Sequence, residues 1–262
     1  MNPKTDNRQG FIWRQFNLLL HAIMFYSRIP IGKISYSEEN QTQSIRFFPL
    51  IGIIVGVIGG GIFMACSYIL PQAVAAIISI IAMLLTSGAM HEDGLSDFFD
   101  GFGGGYTKER ILEIMKDSRV GVYGAVSLTI LFLFKFAIYT SIGITTLPLV
   151  IIVANASSRF MVLVMMKSSV YVRVEKSKSS HSKNPISLIT LLVAFIFAGV
   201  PFVFMPWQII LSVILVYTII LILFRQYTKK KIGGFTGDVL GALQQLCEVG
   251  FYIVFLSVIP HI

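Results

Sequence analysis

The chain has 262 residues, 55% of them hydrophobic and 13% charged, with a mean hydropathy of +0.78. Soluble domains carry about 25% charged residues, so this composition excludes a soluble, disordered or collagen-like protein and marks a polytopic membrane protein. The formal charge of +8 is assigned to the positive-inside rule, not to a nucleic-acid partner.

The N-terminus is polar, and no cleaved signal peptide is expected there. Over Phe11–Ile29, Arg14, Asn17, His21 and Arg28 recur at helical spacing among Ile12, Phe16, Leu19, Ile23 and Met24. That pattern predicts an amphipathic helix in the membrane interface more than a span. Apolar runs then predict spans at Phe47–Leu70, Pro71–Met90, Val120–Gly143, Thr145–Met166, Pro185–Met205, Trp207–Phe224 and Val239–Pro260. The links near Leu70–Pro71, Gly143–Leu147 and Met205–Trp207 are short and uncharged; the others are long and charged. Of the Lys and Arg residues only Lys135 and Arg159 sit well inside spans. This asymmetry places the charged loops on the cytoplasmic face of the inner (plasma) membrane. The expectation is one all-α integral membrane domain over residues 1–262. It is a polytopic helix bundle of about seven spans, with an interfacial helix at 11–29 and a cytoplasmic catalytic loop at 91–119.

The informative segment starts at His91. Asp93, Asp97 and Asp100 are spaced i, i+4, i+7 and fall on one helix face. Like charges so arranged repel, and a divalent cation removes that cost. Mg²⁺ takes oxygen ligands and keeps waters that a phosphate displaces. Glu92 would join from a distorted first turn. Asp117 would complete a two-metal cluster if a helix near Lys108–Met115 folds back. The alternative is a solvated acidic face. Against it, seven of the 13 acids lie in Glu92–Asp117, directly after a span. Gly101 and Gly103–Gly105 would cradle phosphate oxygens or end the helix. The segment His91–Arg119 is net acidic, whereas Lys167–Asn184 and Arg225–Asp238 are net basic. Metal on one side and cations on the other suit a phosphoanhydride.

Lys135, Asn155, Arg159, Gln244, Gln245 and Glu248 fall within spans, where charges face the bundle interior. Arg159 and Glu248 would form a buried pair or contact substrate; Lys135 is left unassigned. Gly52, Gly56 and Gly60 recur every fourth residue and predict close helix packing. His91 would cap a helix or assist as a base. Cys66 and Cys247 are read as packing residues.

The run from His91 to Ala125, HEDGLSDFFDGFGGGYTKERILEIMKDSRVGVYGA, resembles the signature of the cobalamin synthase (adenosylcobinamide-GDP ribazoletransferase) family. SRIP at Ser27–Pro30, FFPLIG at Phe47–Gly52 and GGFTGDVLGALQQLCE at Gly233–Glu248 resemble it in the same order, over nearly the whole chain. The resemblance implies a reaction. The 5′-hydroxyl of α-ribazole, or of its 5′-phosphate, attacks the cobinamide-side phosphorus of adenosylcobinamide-GDP, and GMP leaves. It also implies Mg²⁺ on the pyrophosphate, held by Asp93, Asp97 and Asp100 with Glu92 and Asp117. Asp100 or Asp117 would take the hydroxyl proton. Lys116 and Arg119 would neutralise phosphate charge, with Gly103, Gly104 and Arg159 toward the substrate. Thr236 and Asp238 would bind substrate hydroxyls or metal. Where CDP-alcohol phosphotransferases carry D-G-x-x-A-R, this chain has Leu95, Ser96 and Asp97 after Asp93 and Gly94. Phe98 and Phe99 stand where smaller residues are usual in cobalamin synthases. Readings that stay open are a membrane phosphotransferase for another alcohol, a transporter, and assembly into a homo-oligomer.

Overall fold

The computed structural model describes residues 10–32, 34, 36–172 and 186–259. Most of the net-basic segment Lys167–Asn184, from 173 onward, and the outer ends of two expected spans, at Pro185 and Pro260, lie outside the described residues.

The elements are helical. In chain order they are α1 (Phe11–Tyr26), α2 (Glu38–Ser44), α3 (Phe48–Ser67), α4 (Gln72–Ser87), α5 (Met90–Gly104) and α6 (Lys108–Ile114). Then come α7 (Val122–Ser141), α8 (Leu147–Ser168), α9 (Leu188–Gly199), α10 (Trp207–Ile232) and α11 (Gly237–Val258). Many of the ends follow from local chemistry. Ser37, Thr107, Ser187 and Thr236 accept backbone N–H bonds at the starts of α2, α6, α9 and α11. Proline sits in the first turns of α3 and α8. Gly88 and Gly233 end α4 and α10 in the left-handed region. Among the described residues the β pairing is one isolated parallel bridge, Tyr171 to Phe235.

The all-α polytopic bundle is as expected, with five helices, or six if the bent pair α4–α5 is one span, long and apolar enough to cross a membrane. The five are Glu38–Ser67 (α2 and α3 joined by a short 3-10 turn), α7, α8, α10 and α11. The other two expected spans are shorter. α4 has 16 residues, and α9 with the 3-10 turn after it covers Leu188–Phe204. α4 stops because the chain turns by 89° at Gly88 and Ala89, both with positive φ, and restarts as α5. Residues 91–119 are therefore mostly helix, and α5 lies against α11 and α7. The bundle centres on α8 and α11, whose apolar windows are 72% buried, against 22% for the peripheral α10.

α1 buries Leu18, His21 and Ala22 against its neighbours and leaves Phe11, Ile12, Trp13 and Phe16 exposed. The segment after it straps the elbow: Arg28 N–H donates to Thr86 O at 2.7 Å, and its side chain lies over Gly88.

The glycine repeat is the seam between α3 and α8. A Cβ at Gly56 would lie 2.7 Å from Cα of Ile152, and one at Gly60 2.8 Å from Cα of Pro148; one at Gly52 would overlap the carbonyl of Asn155. These neighbours are backbone and cannot swing away. Gly56→Val is therefore expected to separate the helices at a cost of about 1–3 kcal/mol or more. The check is the thermal midpoint in detergent, with Gly61→Val as control, since nothing lies within 4 Å of that position.

Candidate active site

α5 carries two neighbouring stripes of polar residues. Asp93 is exposed and Asp97 half-buried. Glu92, Ser96 and Asp100 are buried. Leu95, Phe98 and Phe102 bury the apolar side, Phe98 stacking on Phe102 and meeting Phe224 of α10. α5 crosses α11 at two glycines. A Cβ on Gly94 would lie 2.9 Å from the carbonyl of Asp238 and 3.2 Å from Cα of Gly241. The crossing brings Asp238, in the first turn of α11, beside the residue that follows Asp93. Thr236 is buried and caps α11, its Oγ1 accepting the Val239 N–H at 3.3 Å.

The five carboxylates expected to share a metal are dispersed. Asp100 turns to the start of α7, where Oδ2 accepts the Gly121 N–H at 2.7 Å and Oδ1 the Gly124 N–H at 2.8 Å. It thus satisfies donors that a helix start leaves open, and its charge suits the positive end of the helix. The close approach needs glycine: a Cβ at Gly124 would overlap Asp100 and Ser96.

Asp117 pairs with Arg119 on the surface between α6 and α7, with Nη2 to Oδ2 at 2.6 Å. Lys116 is exposed beside them. Gly103 and Gly104 form the last turn of α5, Gly103 lying against the Tyr123 ring. Among the described residues no three His, Cys, Asp or Glu are grouped to hold a metal ion as they stand.

Glu92 points into the bundle instead. Its Oε1 accepts from Gln245 Nε2 at 3.0 Å and lies 3.8 Å from Lys135 Nζ. Lys135 Nζ lies 3.0 Å from Glu248 Oε1, which also accepts from Tyr252 OH at 3.1 Å. Gln244 Nε2 donates to Glu248 Oε2 at 3.0 Å and to Ser158 Oγ at 2.9 Å. Tyr139 OH lies 3.0 Å from Tyr252 OH. The ion-pair partner of Glu248 is thus Lys135, correcting the expected Arg159–Glu248 pair. Arg159 is buried on α8, where Nη1 donates to Asn155 O and Oδ1 and the guanidinium lies over the Phe48 ring at 5.6 Å. His91 meets the same Phe48 ring, tilted by 33° with centroids 5.6 Å apart. His91 Nε2, Glu92 Oε2, Ser96 Oγ, Arg159 Nε and Gln245 Oε1 are buried without a hydrogen-bond partner.

Sequence reasoning missed Ser96, Gly121, Gly124, Tyr139 and Tyr252. The Gly-x-x-Gly at the start of α7 was a readable signal for a buried acceptor; the tyrosines carried none.

Asp117 has a chemical consequence of its own. The hydrogen bond from the Arg119 side chain, then that from its backbone N–H, lowers the Asp117 pKa to about 2. A lowered pKa contributes above the ordinary carboxylate value and is lost only as pH falls through the lowered one. Asp117 therefore stays ionised across the neutral and mildly acidic range and puts no limb in an activity profile there. In Arg119→Ala its midpoint is expected to rise toward the ordinary range. A carboxyl-carbon NMR titration of labelled aspartates checks this, and an unmoved midpoint would contradict the pairing.

Comparison with known proteins places the chain. The family model described as CobS, cobalamin-5-phosphate synthase, matches residues 18–256. An adenosylcobinamide-GDP ribazoletransferase of Vibrio parahaemolyticus is 38% identical over 267 residues, covering 100% of both chains. One of Vibrio cholerae is 36% identical, covering 94% of this chain and 96% of its own. One of Shewanella amazonensis is 36% identical, covering 93% and 96%. No solved structure matches.

Proposed function

The chain belongs to the CobS family of cobalamin-5-phosphate synthases and is a transferase, and from that membership we propose the reaction and the roles of its residues. The 5′-hydroxyl oxygen of α-ribazole, or of its 5′-phosphate, bonds to the cobinamide-side phosphorus of adenosylcobinamide-GDP. The bond from that phosphorus to the bridging oxygen breaks, and GMP leaves with the electron pair. Adenosylcobalamin or its 5′-phosphate is the product. The observation that carries this reading is the match along the whole chain to relatives of that name, together with two aspartates presented on the outer stripe of α5.

The donor chemistry of that stripe fits Mg²⁺ in one particular way. The described residues offer no cage of three carboxylates, and Mg²⁺ does not need one. It is commonly held by one or two carboxylates, with substrate phosphates and water supplying the rest. Asp93 and Asp97 would hold it with the pyrophosphate, and Asp238 stands across Gly94 from them. Bound there, Mg²⁺ neutralises the pyrophosphate and stabilises charge on the leaving oxygen.

Asp100 and Asp117, expected to take the hydroxyl proton, are held by the Gly121 and Gly124 N–H groups and by Arg119, so with Asp93 on the metal that proton passes to water at the exposed edge of the stripe. Asp100 acts from inside by fixing the start of α7 to α5. Lys116 and Arg119 meet phosphate charge from the rim, joined by Lys108, which approaches Gly233 at the end of α10. The charged ends face the cytoplasm of the plasma membrane, in line with the positive-inside rule.

The test uses purified protein in lipid nanodiscs with adenosylcobinamide-GDP, α-ribazole and Mg²⁺, reading GMP and cobalamin by mass spectrometry. Product is expected only with both substrates, and EDTA should remove it. Folded protein that yields none, with either α-ribazole or its phosphate, would overturn the assignment.

A further inference from the structure

Outside the outer stripe of α5, the densest chemistry among the described residues is the interior network around Lys135. Its ammonium lies between two carboxylates from different helices, Glu92 of α5 and Glu248 of α11, at 3.8 and 3.0 Å. All three side chains are at most 10% exposed. Buried charges are retained only when paired, and each such pair fixes the elements that carry it.

The helix pinned here has weak local support at its start. α5 begins after the 89° elbow, its N-cap position is Ala89 at φ +54, and no side chain caps it. Beyond the elbow, α5 is held by the Gly94–Gly241 crossing, by Phe98 against Phe224, by the Asp100 bonds to α7 and by the Glu92 bonds to Gln245 and Lys135. Glu92 and Asp100 lie on either side of Asp93 and Asp97. Two inward carboxylates thus bracket two outward ones on one short helix.

From this arrangement we infer that Lys135 is a positioning residue: by standing between Glu92 and Glu248, it locks the start of α5 to α7 and α11 and so sets where Asp93 and Asp97 meet the substrate. It touches neither substrate nor metal. The inference rests on the proposed role of those aspartates for its effect on turnover, but the lock itself is a property of the bundle.

The experiment separates the two. Lys135→Met alone strands two buried carboxylates, so the paired variant Lys135→Met with Glu248→Gln is made beside it, and Glu92→Gln as a third. Gln at 248 keeps an oxygen for Tyr252 and Gln244. Each full-length protein is studied in nanodiscs by hydrogen–deuterium exchange and by steady-state kinetics. In the paired variant and in Glu92→Gln, amides of α5 are expected to exchange about tenfold faster, while those of α3 and α8 keep their rates. The kcat should fall about tenfold or more with KM for both substrates within about twofold. The Mg²⁺ needed for half-activity should rise. Unchanged α5 exchange in a folded paired variant would overturn the inference. So would faster exchange in every helix at once, because Lys135 would then serve global stability alone. If wild type made no product, the proposed function would fail, and the exchange pattern would still decide the lock.

Discussion

Asp93→Asn and Asp97→Asn are expected to lower kcat by about 10²–10³-fold or more, the scale of removing one preorganised stabiliser of transition-state charge. The fold should survive. Asp93 is exposed and Asp97 half-buried, and substitutions at such positions usually stay within about 0.5 kcal/mol. The measurement pairs turnover with thermal midpoint in the same detergent. Asparagine keeps the size and one carbonyl oxygen of each side chain, so lost turnover at constant midpoint points to charge. Wild-type turnover in both variants would remove the metal role from α5 altogether. Glu92→Gln gives the contrast. Its carboxylate faces Lys135 and Gln245, so its loss should show as faster α5 exchange, which neither aspartate variant should share, with a smaller fall in kcat than theirs.

Asp100→Ala should behave in the opposite way, with its largest effect on stability. Both carboxylate oxygens accept backbone N–H groups, from Gly121 and Gly124. Removing the acceptor leaves the buried Gly124 N–H open, at about 1–3 kcal/mol, and the N–H of the exposed Gly121 to water at a smaller cost. Asp100→Asn should recover roughly half of that loss, because it keeps one acceptor oxygen. Gly124→Ala should resemble Asp100→Ala, since its methyl would displace the same carboxylate. Thermal unfolding of the three variants checks the series. If Asp100→Asn and Asp100→Ala were equally inactive with wild-type midpoints, Asp100 would be a ligand or base and not the clamp on α7.

Much of this architecture was legible because it rests on local rules. The apolar runs located α3, α7, α8, α10 and α11, since crossing a bilayer requires a length that composition shows directly. The Gly52, Gly56 and Gly60 spacing located the α3–α8 seam, because small residues every fourth position leave a groove whatever fills it. The elbow was not legible. Gly88 marks a helix end, but nothing in the sequence marks Ala89 as a second positive-φ residue, so α4 was read to Met90 and the sharp turn into the helix that carries the aspartates was not foreseen.

The carboxylates show where local arithmetic stops. The i, i+4, i+7 spacing joins Asp100 to Asp93 and Asp97, yet the i, i+4 series through Ser96 joins it equally to Glu92. Which side of Asp100 is covered depends on α7, whose first turn lies about 20 residues further along the chain. The partner of Glu248 was undecidable for a similar reason. Lys135 and Arg159 are both buried cations at a suitable depth, and only the three-dimensional packing gives Glu248 to the first and Asn155 to the second.

The two stripes of α5 also limit how this segment can change over evolutionary time. Each added residue turns a helix by about 100°. One insertion between Asp93 and Asp97 would swing Asp100 away from Gly121 and carry Asp97 off the face it shares with Asp93. Substitutions can be absorbed one at a time, as the paired phenylalanines at 98 and 99 illustrate, but a change of length cannot. Among relatives that keep the chemistry, positions of this helix other than Glu92, Asp93, Gly94, Asp97 and Asp100 can drift, while its residue count cannot.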